Sequence, residues 1–224
     1  MSIMLAKELI SDVLPPLMTS DTGIKALIWM EIFKVSHLPI VNNKEFLGLI
    51  SDTDIYNLNE ASESIGAHPL SLIRPFVYQN QHIYEVIGLI SKLNLSVVPV
   101  LNEHNHYLGC ITLQDLSFNL AKLAAISEPG AIIILQLNLH DYILSEIAQI
   151  VESNDSKILS LYVSTFKDST KLNLTLKLNT TNLSSIVQTF ERYNYNIKAS
   201  FLEDEELNHF YEERLESFMN YLDI

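Results

Sequence analysis

Apolar and polar positions in the first half of the chain follow one rhythm twice. Ile24, Leu27, Ile28 and Ile32 recur at helical spacing, as do Ile83, Val86, Ile87 and Ile90. Each set is preceded by a proline-flanked extended stretch, Leu17-Met18-Thr19 in one copy and Val77-Tyr78 in the other. Each is followed by an apolar strand through a proline (His37–Val41, Ser96–Leu101), a polar turn and a second strand (Phe46–Ile50, Tyr107–Ile111). A second helix is expected to open at Ser51 and at Thr112. The predicted order is strand, helix, strand, strand, helix, and a proline inside a strand points to an edge or a strand end.

The two copies align residue by residue. Pro15 matches Pro75, Pro39 matches Pro99 and Asn42 matches Asn102, each 60 residues apart by subtraction. After one extra residue in the turn the offset becomes 61, matching Phe46 with Tyr107, Gly48 with Gly109, Ser51 with Thr112 and Asp54 with Asp115. The extra residue falls where His104-Asn105-His106 replaces part of Asn43-Lys44-Glu45, in a polar turn that tolerates insertion. Two copies imply two equivalent units packed face to face.

Glu128-Pro129-Gly130 breaks the pattern. Beyond it come a β-rich run at Ala131–Asn138, a helix at Asp141–Glu152 and a strand at Lys157–Phe166. The run Lys171–Asn179 puts Leu172, Leu174, Leu176 and Leu178 on one face and Lys171, Asn173, Thr175 and Lys177 on the other, which predicts a strand with one wet face. A helix capped by Thr181 or Asn182 and running to Tyr193, then a strand at Tyr195–Leu202, complete the order βαββαβ, the ferredoxin-like arrangement. From Glu203, Leu207, Phe210, Tyr211, Leu215, Phe218, Tyr221 and Leu222 recur at helical spacing in an acidic stretch, which predicts an amphipathic C-terminal helix.

The net charge of −13, from 27 acidic and 14 basic residues, disfavours nucleic acid and anionic lipid as partners, because both need clustered Lys and Arg. No apolar run is long enough to cross a bilayer, and Lys7 and Glu8 interrupt the opening apolar stretch, so neither a membrane span nor a signal peptide is expected. The single cysteine, Cys110, permits no internal disulfide. These features favour a cytoplasmic chain as the expectation. The seven histidines show no metal-ligand spacing, and His104-Asn105-His106 reads as an exposed turn. No phosphate-binding glycine loop and no Ser-His-Asp or Cys-His arrangement is legible, so no catalytic residue is named and an enzyme is not expected. Trp29 falls in the first helix, as a core or dimer contact.

Chemistry concentrates in Gly48-Leu49-Ile50-Ser51-Asp52-Thr53-Asp54-Ile55 and Gly109-Cys110-Ile111-Thr112-Leu113-Gln114-Asp115-Leu116. A Ser or Thr with an acid three residues on is a helix-capping arrangement. The same helix opening can hold a phosphate, and an ionised carboxylate suits a vicinal diol. Both readings stand at this point. Neither motif contains Arg or Lys; Lys34, Lys44 and Lys92 are the nearest cations.

This doubled pattern, with Leu38-Pro39-Ile40 and Val98-Pro99-Val100 upstream, resembles the CBS-domain pair, or Bateman module, over Leu9 to Ala125. The resemblance implies a cleft between repeats for an adenosine-type ligand, such as AMP, ADP, ATP or S-adenosylmethionine. Ser51 and Thr112 would then meet phosphate and Asp54 and Asp115 the ribose, with His37, Leu38, Pro39, Val98 and Pro99 walling the base. It also implies a homodimer formed through the pair. The second half looks like an ACT domain. Amino-acid-binding ACT domains usually carry a glycine between the first strand and helix, where Tyr142 stands here, so a dimerising or spacer role is expected.

The resulting expectation is an α+β chain: a CBS pair at 1–127 (repeats 9–65 and 66–127), an ACT-like domain at 131–202 and an acidic helix at 203–224. The layout is similar to small bacterial CBS-ACT proteins of the acetoin-utilisation type. Two function classes follow: a non-catalytic ligand sensor acting on an unidentified regulated protein, or a ligand-free homo-oligomeric scaffold.

Overall fold

The structure is a computed structural model that describes residues 3–58, 60–69, 72–165 and 170–202. The expected C-terminal helix at 203–224 lies outside the described residues. The chain divides into two compact units, Met1–Leu120 and Ala121–Ile224, and the Glu128-Pro129-Gly130 break lies just beyond that division. Among the described residues no helix is long and apolar enough to cross a membrane.

The first unit contains α1 (Gly23–Phe33), β1 (His37–Asn42), β2 (Glu45–Ser51), α2 (Asp52–Tyr56), β3 (Val77–Tyr78), α3 (Ile83–Leu93), β4 (Val97–Leu101), β5 (Tyr107–Thr112) and α4 (Leu113–Leu123), the last crossing the division. The doubling is structural. Leu17 bridges Ile40 in parallel, as Val77 of β3 pairs with Val100 of β4. β1 pairs antiparallel with β2, and β4 with β5, in matching registers: Ile40 faces Gly48 and Val100 faces Gly109. α1 and α3 both end on a left-handed residue, Lys34 and Asn94, which stops each helix and turns the chain into its inner strand. Asn43 and Lys44 both have positive φ, as a two-residue hairpin turn requires.

The two repeats share a pseudo-twofold axis. Glu45 bridges His106, its own equivalent, and Phe46 stacks on Tyr107 at 6.5 Å. Ser36 N–H donates to Oγ of its equivalent, Ser96, at 3.0 Å. Each outer strand is completed by a segment from elsewhere in the unit: Ser11 N–H donates to Cys110 O at 2.8 Å, and Leu49 N–H donates to Ile73 O at 2.9 Å. Gly48 and Gly109 make room for these segments. A Cβ on Gly48 would stand 2.6 Å from Leu72 Cβ, and one on Gly109 would stand 2.4 Å from Ile10 Cγ2; φ is +157° and +158°.

Two expectations change in this unit. Pro99 sits in β4, the middle strand of β3-β4-β5, and Pro39 in β1, flanked by β2 and the Leu17 bridge, so neither lies on an edge strand. No bond of the antiparallel β1–β2 or β4–β5 ladder is lost, because the register partners Leu49 and Cys110 turn their backbone groups outward, to Ile73 and Ser11. On α1 the buried stripe is Gly23, Ala26 and Met30, while Ile24, Ile28 and Ile32 are 49%, 50% and 62% exposed. A helix that is apolar all round carries no periodic signal to say which face turns inward. Trp29 is half-buried, with Lys25 Nζ 4.3 Å from its ring centroid.

The second unit runs β6 (Ala131–Asn138), α5 (Leu144–Glu152), β7 (Ile158–Thr165), β8 (Lys171–Leu178), α6 (Ser184–Arg192) and β9 (Asn196–Phe201). Its sheet order is β7-β8-β6-β9 with every pairing antiparallel, which is the expected ferredoxin-like topology. Ile133, Leu135, Leu174 and Leu176 face Ile147, Ile150, Ile186 and Phe190 in the core. The opposite face of β8 is not wet: Asn173 and Thr175 are 9% and 6% exposed. Their short side chains sit in a central strand, in register with Gln136 and Ile134 on one side and Ser164 and Tyr162 on the other. α5 begins three residues later than expected, after a 3-10 turn at Leu139–Asp141.

The glycine requirement is testable. Gly109→Ala should cost about 1–3 kcal/mol in urea unfolding, as an overpacked substitution does, whereas Gly88→Ala, with open space at the added methyl, should be neutral or stabilising. Equal effects would contradict the packing described.

Candidate functional site

Each doubled motif closes a helix start in the same way. Ser51 is the N-cap of α2; its Oγ accepts from Asp54 N–H at 3.0 Å, and Asp54 Oδ2 accepts from Ser51 N–H at 2.8 Å and Ser51 Oγ–H at 2.7 Å. Thr112 Oγ1 accepts from Asp115 N–H at 3.1 Å, and Asp115 Oδ2 accepts from Thr112 N–H at 3.2 Å and Thr112 Oγ1–H at 2.5 Å. Both are reciprocal capping boxes, so one oxygen of each carboxylate is committed to its own helix. Oδ1 of each keeps its acceptor capacity.

A crevice of about 370 Å³ opens at the second motif. Thr112, Leu113, Gln114, Asp115, Phe118 and Ser96 come from the second repeat; Ser11, Val13, Leu14, Phe33, Lys34 and Val35 come from the first. Lys34 reaches it because it is the left-handed residue ending α1. Ser11 reaches it because its N–H is tied to Cys110 O on the outer edge of β5. Ser51 and Asp54 do not line this crevice. Leu38 and Val98 are 0% exposed and, with Pro39 and Pro99, lie buried in β1 and β4; the crevice walls are other residues.

His37 stands beside the crevice. Ser96 Oγ accepts from Ser36 N–H at 3.0 Å and His37 N–H at 2.9 Å and lies 3.1 Å from His37 Nδ1. Burial holds the His37 pKa below its ordinary value, against the opposing pull of the Asp52 and Asp54 carboxylates. Cys110 is fully buried in β5, and burial pushes its thiol up to about 12, so it serves packing rather than reactivity. Among the described residues no group of three or more His, Cys, Asp or Glu is placed to hold a metal.

Two segments of the chain match one family model, that of the CBS domain, at residues 10–59 and 73–122. These residues form a pair of CBS domains. Among solved structures, a CBS domain pair/ACT domain protein from Thermotoga maritima is 21% identical over 53% of this chain and 98% of its own, with a TM-score of 0.47. The CBS domains of a transcriptional regulator from Streptococcus pneumoniae are 20% identical over 52% of this chain and 99% of their own, with a TM-score of 0.45. A CBS domain pair solved in complex with 5-methylthioadenosine and S-adenosyl-L-methionine is 25% identical over 54% of this chain and 98% of its own, with a TM-score of 0.42.

Of the residues lining the crevice, Thr112 and Asp115 stand in the sequence motif, whereas Ser11, Phe33, Ser96 and Phe118 lie outside both motifs. Lys34 was visible only as a nearby cation. The missing signal was the path of the leading segment: nothing in Ser11-Asp12-Val13-Leu14 announces that it lies against β5. In the second unit a cavity of about 460 Å³ is bordered by Asn138, His140, Asp141, Glu146, Lys171 and Tyr195. Tyr195 Oη–H donates to Glu146 Oε2 at 2.7 Å, and burial followed by this carboxylate raises the phenol pKa. Tyr142 does not line that cavity; it packs against the core of its unit.

If the capping boxes carry local stability, Thr112→Val and Ser51→Ala should each cost about 1 kcal/mol in urea unfolding. No change in either variant would contradict that role.

Proposed function

We propose that the CBS pair is a regulatory, non-catalytic sensor that binds an adenosine-type ligand in the crevice between its repeats. The observation that carries this reading is the composition of that crevice: a capped helix start, a carboxylate with one uncommitted oxygen, a lysine and two phenylalanines around one space of about 370 Å³. A volume of that order falls in the ~300–1,000 Å³ range of small-molecule sites. Phe33 and Phe118 supply apolar faces for the base. Asp115 Oδ1 suits the ribose diol. Lys34 and the positive end of the α4 dipole favour a phosphate.

One lysine in a chain of net charge −13 favours AMP over ADP and ATP. The reading carries a cytoplasmic location, where such nucleotides circulate. Ligand binding would act by its different affinity for two arrangements of the pair. A second reading, self-assembly, is favoured by the exposed Ile24-Ile28-Ile32 stripe on α1, one residue per turn, which suits a homodimer. The C-terminal unit is read with it as an ACT-like module for assembly or spacing.

Calorimetry on the full chain tests the first reading. AMP should give measurable heat; Lys34→Gln should weaken AMP by roughly tenfold, the loss of one charge-assisted contact, and leave S-adenosylmethionine unaffected. No heat with AMP, ADP, ATP or S-adenosylmethionine at millimolar concentration would refute it. For assembly, Ile28→Glu should halve the mass measured by light scattering at unchanged thermal midpoint; an unchanged mass would refute the α1 interface.

A further inference from the structure

The pseudo-twofold symmetry of the CBS pair breaks at His37. His37 has Val97 as its counterpart, and Val97 is buried. The histidine therefore meets the axis from one side only, and it meets Ser96.

The hydrogen bonds of Ser96 fix the protonation of that ring. A hydroxyl oxygen has two lone pairs and one proton. Both lone pairs of Ser96 Oγ are occupied, by Ser36 N–H at 3.0 Å and His37 N–H at 2.9 Å. Its proton is directed to His37 Nδ1 at 3.1 Å, and Ser96 N–H also points at Nδ1 from 3.4 Å. Nδ1 is thus an acceptor, and the neutral ring carries its proton on Nε2. A proton on Nδ1 would face two donors of Ser96, with Ser36 Oγ at 3.3 Å as the remaining acceptor.

Ser96 is also a wall of the ligand crevice. Its carbonyl accepts from Leu113 N–H at 3.3 Å, and Leu113 is the first residue of α4, beside Thr112. On the other side, Ser36 follows directly on Lys34 and Val35, which line the opposite wall. One serine therefore ties the wall from the first repeat to the wall from the second, through a hydroxyl whose proton rests on His37. Asp52 and Asp54, at the start of α2, are the charged groups that act on the ring, and Asp52 N–H donates to Ser36 O at 3.1 Å.

We infer that His37 is a positioning residue for the crevice, which holds its two walls in register through Ser96 when neutral and lowers ligand affinity when protonated. The inference rests on the functional reading above and adds a regulator to it, proton concentration. His37→Asn isolates it, because the Asn Oδ1 stands near the place of Nδ1 and accepts from Ser96 without titrating.

The test is calorimetry of the full chain with AMP between about pH 8 and 5.5, wild type against His37→Asn. AMP titrates near pH 6 itself, and that contribution is common to both proteins, so the difference between them reports His37. Wild-type affinity should fall more steeply with pH, by up to about tenfold per unit below the His37 pKa for one linked proton, and Ser96→Ala should bind weakly and lose the excess slope. Thermal unfolding supplies a readout of the clasp apart from the ligand. The folded-state pKa of His37 lies below the ordinary 6.5, so its contribution to stability is complete above that value and declines as pH drops through it. The wild-type midpoint should fall relative to His37→Asn over the same range. Identical slopes of affinity in the two proteins would overturn this inference alone. No heat with AMP at any pH would overturn the functional reading and this inference with it.

Discussion

The architecture of the first unit depends on how the outer strands β2 and β5 are closed. Each ends in a sheet edge with outward backbone groups, and each is met by a segment from elsewhere, at Leu49 with Ile73 and at Cys110 with Ser11. That closure works only if a strand residue gives up its side chain, which is why Gly48 and Gly109 occupy equivalent positions against Leu72 and Ile10. The same docking brings Ser11, Val13 and Leu14 to the mouth of α4 and so turns a capped helix start into one wall of a crevice. Packing and candidate function thus share one constraint.

The two motifs are chemically alike but not equivalently placed. Both build the same reciprocal cap, and both halves of each cap are satisfied within three residues. What distinguishes the second is its surroundings: Lys34 at the end of α1, two phenyl rings, and a helix of 11 residues against 5 for α2. The left-handed helix end equivalent to Lys34 is Asn94 in the other copy, and the equivalent of His37 is Val97. An internal duplication has therefore kept its backbone hydrogen bonds while its two ends diverged in charge and in titratable groups.

Much of the fold was legible because its signals are local. Matching prolines, the Gly-apolar-apolar-Ser/Thr lead-in and the alternation of β8 each speak within a few residues, and the βαββαβ order followed from them. What was not legible depends on neighbours distant in sequence. α1 is apolar around its whole circumference, so its buried face is chosen by the sheet beneath it. Asn173 and Thr175 read as solvent-facing, yet in the central strand β8 they are buried between the register partners of β6 and β7. Leu38 and Val98, expected beside a ligand, lie in the cores of the central strands. Tyr142, which stands where amino-acid-binding ACT domains usually carry a glycine, packs against the core of its unit.

The proposed ligand site is the crevice between the CBS repeats. Amide chemical-shift mapping of the isotope-labelled full chain during AMP titration addresses it most directly. Saturable shifts concentrated at Ser11, Lys34, Ser96, Leu113 and Asp115 are expected. Shifts confined to residues of the C-terminal unit, or to the Ser51–Asp54 helix start alone, would contradict it.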